Sequence, residues 1–282
     1  MNAIARVHPP LGLELIYRRA RNHDPLLAIA DDLVRAGDVV VDAGASYGLF
    51  TARFARLVGP GGRVHAFEPN PARHARLRRL ARGRPVTVHP VGLSSEVAGA
   101  RLRTPVIEGR AYEERAQVER AGDPPGEGDT TEIALERLDR ELGDDRGRIS
   151  LIKCDVEGHE GELLRGATET LAASDPVLLV EIEQRFHERD ITELFEALGA
   201  WGFGGWAITP DRLVPLAEFD VQRDQVAQLR HGATSAAYVN NFLFVRPARP
   251  RRSGSASFDR GRWRRGGRTM GAAGFEPATS RV

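Results

Sequence analysis

The chain of 282 residues has 41% hydrophobic residues, a single cysteine and a formal net charge of +1. This length and hydrophobic fraction are sufficient for one large domain with a substantial core. The single cysteine, Cys154, excludes an intramolecular disulfide, and no Cys-x-x-Cys spacing points to a structural zinc site. No apolar run approaches the roughly 20 residues that cross a bilayer, and the first residues lack the layout of a signal peptide, so we expect a cytoplasmic protein with no membrane segment.

The charged residues are distributed unevenly along the chain. Arginine supplies every cationic side chain except Lys153, which we interpret as a coding bias rather than as an adaptation for binding. Residues 248–282 carry a surplus of seven positive charges, and the remaining chain therefore carries a net charge of −6. A mildly acidic body disfavours nucleic acid as a partner, so a small molecule or a glycan is the better first hypothesis for the substrate.

Three regions are predicted along the chain. Residues 1–37 form a helical lead-in, residues 38–246 the main domain, and residues 247–282 a tail rich in Arg and Gly. The tail has no apolar periodicity, so we expect it to be disordered, with an RNA-binding arm as the alternative interpretation.

Short apolar runs alternate with segments of helical spacing in the main domain, which is the pattern of β-α-β units around a parallel sheet. The predicted strands are Val39–Val41, Arg63–Phe67, Val86–His89, Leu151–Cys154, Val177–Ile182, Gly204–Ile208 and Asn241–Val245. The predicted helices are Leu49–Val58, Pro71–Arg82 with Asn70 as N-cap, Glu162–Ala172 and Ile191–Ala200. We therefore predict a doubly wound α/β fold.

An insertion over residues 102–129 interrupts this alternation. It is rich in glycine and proline, so we expect much of it to be loop. A loop of this length is interpreted here as a lid on the substrate side, and the alternative is a surface excursion without a function.

The first predicted strand runs into a glycine loop, where open α/β sheets usually bind ligands. A plain turn that needs glycine for its dihedral angles is the alternative. A dinucleotide loop would have glycine in place of Ser46, and Asp42 would repel a pyrophosphate, whereas a carboxylate attracts the ammonium and sulfonium groups of S-adenosylmethionine. We therefore predict S-adenosylmethionine as the cofactor, contacted by Asp42, Gly44, Ala45, Ser46, Tyr47 and Gly48.

Further cofactor contacts are predicted after the next two strands. Glu68, followed by Pro69, stands where an acid is expected to bind the ribose hydroxyls. The alternative for Glu68 is a solvated acid favoured by the dipole of the following helix. Leu93 and Ser94, after the third strand, lie where we expect the adenine.

The fourth predicted strand delivers several ionisable groups to the same edge of the sheet. They are Lys153, Asp155, Glu157, His159 and Glu160. Because Lys153 is the one lysine in an arginine-rich chain, it indicates a place where a guanidinium would not serve. A structural ion pair with a neighbouring acid explains Lys153 equally well.

The sequence resembles the FkbM-type family of S-adenosylmethionine-dependent methyltransferases. The resemblance is carried by four blocks and spans about Asp24–Arg246: Asp42–Thr51, Phe67–Asn70, Thr131–Leu138 and Ile152–Glu160. It implies a seven-stranded, mostly parallel sheet with a reversed last strand, and often O-methylation of a hydroxyl on a sugar or natural product. It also implies that Asp42, Gly44, Ser46, Gly48 and Glu68 hold the cofactor, with Asp155 near its methionine end. The chain departs from the family at Ser46, where Asn is frequent, and at Ser95, where Asp is common.

Methyl transfer to a hydroxyl needs a base, because a hydroxyl is a poor nucleophile until it loses its proton. Histidine titrates near neutral pH, so His159 or Glu157 is predicted to assist, with Asp155 and Lys153 beside them. The alternative for His159 is a helix-start residue without a catalytic role. The next candidates are Asp155, Glu181, Glu183 and His187.

Other functions remain open on the sequence alone. A nicotinamide-dependent oxidoreductase is disfavoured by Ser46 and Asp42, and a catalytically silent nucleotide-binding module would use the insertion to hold a partner protein. A nucleic-acid methyltransferase is disfavoured by the acidic body. A divalent metal at Asp155 is conceivable, but no ligand spacing demands one, so no metal site is predicted.

Overall fold

The computed structural model describes residues 25–107, 110–111, 116–119, 128–210, 212–231, 237–246, 264–265 and 268–269. The chain forms two compact units, Met1–Pro176 and Val177–Val282. Residues 1–24 of the predicted lead-in lie outside the described residues, and the rest of it contains one helix, Pro25–Leu33. Within residues 247–282 the structure describes one pair of two-residue strands, so the predicted disorder of this tail otherwise falls outside the described residues.

The first unit alternates strands and helices, and its helices α4 to α6 are short. In chain order its elements are α1 (Pro25–Leu33), β1 (Val39–Ala43), α2 (Leu49–Val58), β2 (Arg63–Phe67), α3 (Pro71–Leu80), β3 (Val86–His89), β4 (Val91–Leu93), β5 (Ala98–Thr104), β6 (Val106–Ile107), β7 (Arg110–Ala111), β8 (Gln117–Val118), β9 (Asp129–Glu136), α4 (Leu138–Glu141), β10 (Ile149–Cys154), α5 (Glu160–Arg165) and α6 (Thr168–Ser174).

Four strands of this unit form the parallel arrangement that the sequence predicts. Their order is β10-β1-β2-β3, and every neighbouring pair is parallel. All five residues of β1 are buried, and its first three, Val39–Val41, are the apolar run expected of a strand that is covered on both faces. The carboxyl ends of the four strands therefore lie at one edge, which is where α/β sheets bind ligands.

The helices after β1 and β2 follow the predicted boundaries closely. Helix α2 buries Phe50, Phe54 and Val58, whose spacing of four places them on one face. In α3 the Asn70 side chain accepts hydrogen bonds from the N–H groups of Ala72 and Arg73, at 3.0 and 3.2 Å, so the predicted N-cap is confirmed.

Strands lie at both ends of the insertion and reach into it, and residues 108–109, 112–115 and 120–127 of it lie outside the described residues, so its predicted loop character stays a prediction. Strand β5 pairs antiparallel with β9 over seven residues, and β8 pairs antiparallel with β5. Together with β4 these strands form a second sheet in the order β4-β9-β5-β8, with a small core around Leu102, Ile133 and Leu135. Strand β9 begins where the insertion ends, and its apolar side chains on alternate positions pack into this small core.

The helix predicted over Glu162–Ala172 is two helices, α5 and α6. The carboxylate of Asp139 accepts the N–H of Thr170 at 2.8 Å and the N–H of Glu169 at 3.2 Å. These N–H groups are therefore bound by a side chain from α4 instead of by carbonyl groups of the preceding turn, and a new helix starts there. The sequence did not indicate this break, because Asp139 lies about 30 residues away from the groups it binds.

The second unit is antiparallel in all its described strand pairs. Its elements are β11 (Val177–Glu181), α7 (Thr192–Ala200), β12 (Gly204–Ile208), β13 (Leu213–Pro215), α8 (Val221–Asp224) and β14 (Asn241–Val245). Strand β14 lies between β11 and β12 and runs antiparallel to both, which confirms the predicted reversed strand. Strand β13 pairs with β12 and was not predicted.

The α/β class with mostly parallel strands in its first part is confirmed. No helix among the described residues is long and apolar enough to cross a membrane. Cys154 is buried in β10, and burial raises the pKa of its thiol well above the ordinary value.

Candidate functional site

The loop after β1 is fixed to the end of β2. The N–H groups of Gly44 and Ala45 both donate to the carbonyl of Phe67, at 3.2 and 2.9 Å. Three residues of the loop have positive φ: Gly44 at 77°, Ser46 at 47° and Gly48 at 87°. Since Ser46 is not a glycine, its left-handed backbone must be stabilised by contacts.

Glu68 provides the contact that stabilises Ser46. One carboxylate oxygen of Glu68 accepts the N–H of Ser46 at 2.8 Å, and the other accepts the N–H of Asn70 at 2.8 Å. Burial raises the pKa of Glu68, although Arg73 and the two backbone hydrogen bonds act in the opposite direction. The carboxylate is thus fixed at the carboxyl end of β2, and its predicted contact with a ribose stays a prediction.

The absence of a side chain at Gly44 is required by the protein itself. A Cβ placed on Gly44 would lie 1.8 Å from the carbonyl oxygen of Asp155. The sequence suggested that this glycine lets a ligand approach the backbone. The structure gives a different reason, a close approach between the loops that follow β1 and β10.

Asp42 lies near the end of β1, just before the loop, and has no exposed surface. One of its oxygens accepts a hydrogen bond from the Thr51 hydroxyl at 2.5 Å, and the other has no hydrogen-bond partner in the part of the chain that the structure describes. Burial raises the pKa of Asp42, and the charge of Lys153 acts against this shift. Because Asp42 has no exposed surface, its predicted direct contact with the cofactor stays a prediction.

Lys153 stands opposite Asp42 in the register of β1 and β10. Its ammonium forms an ion pair of 2.9 Å with Asp155, and it lies 4.7 Å from the centre of the Phe50 ring. The side chain is 5% exposed. The structural ion pair that explained Lys153 from sequence is therefore present, and it fixes the carboxylate of Asp155 at the edge of the sheet.

The turn between β10 and α5 contains two consecutive residues with positive φ, Glu157 at 51° and Gly158 at 95°. The N–H of Gly158 donates to the buried carboxylate of Glu160 at 2.9 Å. We name Asp155–Glu160 the β10 turn. It carries three of the four predicted catalytic residues in one short segment.

His159 and Ser94 are brought together from distant parts of the sequence. The Nε2 atom of His159 lies 3.0 Å from the Ser94 hydroxyl oxygen. Leu93, beside Ser94, is buried, and a Cβ on Gly166 would lie 1.9 Å from the Ser94 carbonyl oxygen. The segment predicted to contact adenine is therefore packed tightly against the start of α5 and α6. Pro69, which follows Glu68 in the chain, is half-buried.

Tyr47 is the exposed aromatic residue of the loop, with 42% of its surface accessible. The guanidinium groups of Arg76 and Arg73 lie 4.9 and 5.7 Å from the centre of its ring. Sequence reasoning gave these arginines no role, because arginine is abundant throughout the chain.

The remaining candidate bases belong to the second unit. Glu183 is buried, accepts the hydroxyl of Tyr238 at 2.5 Å and pairs with Arg185 at 2.7 Å. Burial and the neighbouring Glu183 raise the pKa of Tyr238. Glu183 therefore has a structural role in its own unit, and Glu181 and His187 lie in the same unit.

The described residues contain no group of three or more His, Cys, Asp or Glu side chains that could hold a metal ion. The chemistry of the loop fits a cofactor that combines a nucleoside with positive charge. Asp42 supplies a buried carboxylate oxygen without a hydrogen-bond partner among the described residues, and Glu68 supplies an oriented carboxylate one strand away. Two acids at the ends of β1 and β2 would repel a pyrophosphate.

A family model and a curated relative match parts of this chain. The family model described as the methyltransferase FkbM domain matches residues 42–203, which is more than half of the chain. A curated relative, 31-O-demethyl-FK506 methyltransferase FkbM from Streptomyces tacrolimicus, is 54% identical over 48 residues. That match covers 17% of this chain and 18% of the relative.

Similar solved structures include two methyltransferases. Methyltransferase FkbM from Methylobacillus flagellatus KT is 15% identical, with a TM-score of 0.46 and coverage of 86% of this chain and 59% of that chain. The O-methyltransferase from Bacillus cereus, solved in complex with SAH, is 14% identical, with a TM-score of 0.42 and coverage of 86% and 93%.

Proposed function

The chain belongs to the family of methyltransferase FkbM domains, and on that premise we propose that it transfers a methyl group from S-adenosylmethionine to a hydroxyl of a small-molecule or glycan acceptor. The S. tacrolimicus relative is named for methylation at an oxygen of a small molecule, which supports a hydroxyl as the acceptor.

The observation that carries the proposal is the fixed position of Glu68. Its two carboxylate oxygens bind the N–H groups of Ser46 and Asn70, so the acid is oriented before any ligand arrives. A carboxylate can accept more than one hydrogen bond at each oxygen. Glu68 is therefore suited to receive the two hydroxyl groups of a ribose while it keeps the loop in place.

When bound, S-adenosylmethionine supplies a methyl group on a sulfonium leaving group, so the protein mainly has to align the reactants and exclude water. The buried charge of Asp42 favours a cation near the loop. The ion pair with Lys153 orients Asp155 toward the same edge. Glu68, Ser46 and the remaining loop residues would hold the nucleoside part.

Removal of the acceptor proton is assigned to His159, with Glu157 as the second candidate. His159 is half-buried and at hydrogen-bond distance from the Ser94 hydroxyl, which shows that its Nε2 atom can bind a hydroxyl group. A base must lie within hydrogen-bond reach of the proton it removes. The contact with Ser94 thus provides an example, within the protein, of the interaction that an acceptor would make.

Calorimetric titration of the full chain with S-adenosylmethionine, and separately with NAD, tests the cofactor. We expect heat of binding with S-adenosylmethionine only, and a much weaker signal for Glu68→Ala. Binding of NAD without binding of S-adenosylmethionine would instead support the oxidoreductase alternative.

Mass spectrometry of cell extracts incubated with labelled S-adenosylmethionine tests the transfer. We expect a labelled product of low molecular mass or a labelled glycan. Cofactor binding with no labelled product in any acceptor pool would support the silent nucleotide-binding module.

A further inference from the structure

One side chain of the insertion reaches the β10 turn. The amide Nε2 of Gln117, in β8, donates a hydrogen bond of 3.0 Å to the carbonyl oxygen of Glu157. Gln117 stands opposite Arg103 in the pairing of β8 with β5. The second sheet of the first unit is therefore connected to the segment that carries the predicted catalytic residues.

The backbone of β8 is held firmly enough to make Gln117 a fixed donor. Ala116 and Val118, on either side of Gln117, pack against the small core of the second sheet. Next along the chain, the N–H of Glu119 donates to the carbonyl of Arg101 at 2.8 Å. The Glu119 carboxylate also pairs with the guanidinium groups of Arg101 and Arg103, at 2.7 and 2.6 Å.

The β10 turn needs such contacts, because its conformation is costly. Glu157 has a left-handed backbone at φ 51°, and Gly158 follows at φ 95°. A left-handed backbone is unfavourable for a residue other than glycine, and it persists where the surroundings hold it in place. The hydrogen bond from Gln117 acts on the carbonyl of this residue.

We propose that Gln117 is a positioning residue for methyl transfer, which holds the β10 turn in its left-handed conformation and so keeps Asp155, Glu157 and His159 in their working positions. This inference rests on the proposed function. Gln117 acts through the backbone of Glu157 and needs no contact with cofactor or acceptor. The consequence is that the second sheet of the first unit, and not only the parallel strands, sets the geometry of the site.

Three variants of the full chain test this role. Gln117→Glu keeps the shape of the side chain but replaces the donor amide with an oxygen that faces a carbonyl. Gln117→Met removes the donor without adding charge, so it serves if the first variant folds poorly. The matched control is Gln228→Glu, because Gln228 also donates from its side-chain amide to a backbone carbonyl at 3.0 Å, that of Arg223 in the second unit.

Two measurements are needed. Hydrogen exchange followed by mass spectrometry reports the opening of the peptide that covers residues 155–163. The labelled-extract assay gives kcat and the KM for S-adenosylmethionine. We expect both Gln117 variants to exchange this peptide about fivefold faster, since a hydrogen bond contributes about 1 kcal/mol, and to lose kcat by a similar factor while KM changes less than twofold. Gln228→Glu should change neither quantity.

A second test removes the unfavourable left-handed conformation at residue 157. Glu157→Gly removes the cost of a left-handed residue with a side chain, so in this background Gln117→Glu should accelerate exchange less than it does in the wild type. The coupling is read from exchange alone, because Glu157 is itself a candidate catalytic residue.

Unchanged exchange in both Gln117 variants would overturn the proposal, and so would faster exchange with an unchanged kcat, which would leave Gln117 a purely structural role. A wild-type chain that binds no S-adenosylmethionine would instead overturn the proposed function and this inference together. If the wild type is active and the Gln117 variants are equally active, this inference fails and the proposed function stands.

Discussion

The imidazole Nε2 of His159 and the hydroxyl oxygen of Ser94 lie 3.0 Å apart, although they are separated by 65 positions in the chain. The candidate base and a residue predicted to contact the cofactor therefore bind each other. Either group can be the donor, because the imidazole has two tautomers and the hydroxyl rotates. To act as a base through Nε2, His159 must exchange Ser94 for the acceptor hydroxyl.

Removal of the Ser94 hydroxyl tests this exchange. If His159 is the base, Ser94→Ala should keep or increase kcat, because the acceptor no longer competes for Nε2. The matched control is Ser95→Ala, whose hydroxyl donates to Glu162 at 2.6 Å instead of to His159. His159→Ala should lower kcat by about 10²-fold or more, as expected for loss of a general base. Normal turnover of His159→Ala would move the base to Glu157 or Asp155.

Glu68→Gln should destabilise the loop and weaken cofactor binding together. In either orientation its amide NH₂ would face one of the two backbone N–H groups, of Ser46 or Asn70, that the carboxylate now binds. Leaving a buried donor unsatisfied costs about 1–3 kcal/mol. Urea denaturation and calorimetry would measure the two effects. Glu193→Gln is the control, because Glu193 is exposed. This substitution should change the free energy of unfolding of the protein by less than about 0.5 kcal/mol.

Gly44→Ala should be among the most damaging single substitutions in the first unit. Its Cβ would lie 1.8 Å from the Asp155 carbonyl oxygen, and φ at this position is 77°. Both effects together predict a loss of several kcal/mol, measured by thermal denaturation or seen as insoluble protein. Gly61→Ala is the matched control, because nothing lies within 4 Å of its added Cβ. Equal stability of the two variants would contradict the observed contact between the loops.

The stability of the protein should fall as pH decreases below about 6.5. The Nδ1 atom of His65 lies 3.1 Å from the Nε2 atom of His89. The other ring nitrogen of His65 lies 3.1 Å from the Asp145 carboxylate, and that of His89 lies 2.7 Å from the Glu141 carboxylate. Burial lowers the pKa of both histidines, although the carboxylates act in the opposite direction. The histidines take up protons near pH 6.5 in the unfolded chain but only at lower pH in the folded protein. Acidification below pH 6.5 therefore favours the unfolded state.

Urea denaturation at pH 7, 6 and 5 measures this dependence. Replacing one partner, as in His89→Gln, should make the decrease between pH 7 and pH 5 shallower than in the wild type. A free energy of unfolding that rises on acidification in the wild type, and not in the variant, would show that the pair binds protons more tightly when folded.

The sequence by itself determined the elements that depend on neighbours along the chain. The strands Arg63–Phe67, Val86–His89, Gly204–Ile208 and Asn241–Val245 and the helix Leu49–Val58 have the predicted limits. Apolar periodicity and an N-cap act within a few residues, so they can be read locally. The family, and the placement of loop and acids at the ends of strands, followed from the same local patterns.

Only the tertiary structure decided the contacts between residues that are far apart in sequence. It divided one predicted helix at the groups bound by Asp139, turned the flanks of the insertion into a sheet, and joined His159 to Ser94 and Gln117 to Glu157. It also showed that position 44 requires glycine because of the nearby carbonyl of Asp155, independently of any ligand. These outcomes depend on which distant backbone groups need partners once the chain is packed, and a pattern of neighbouring residues does not contain that information.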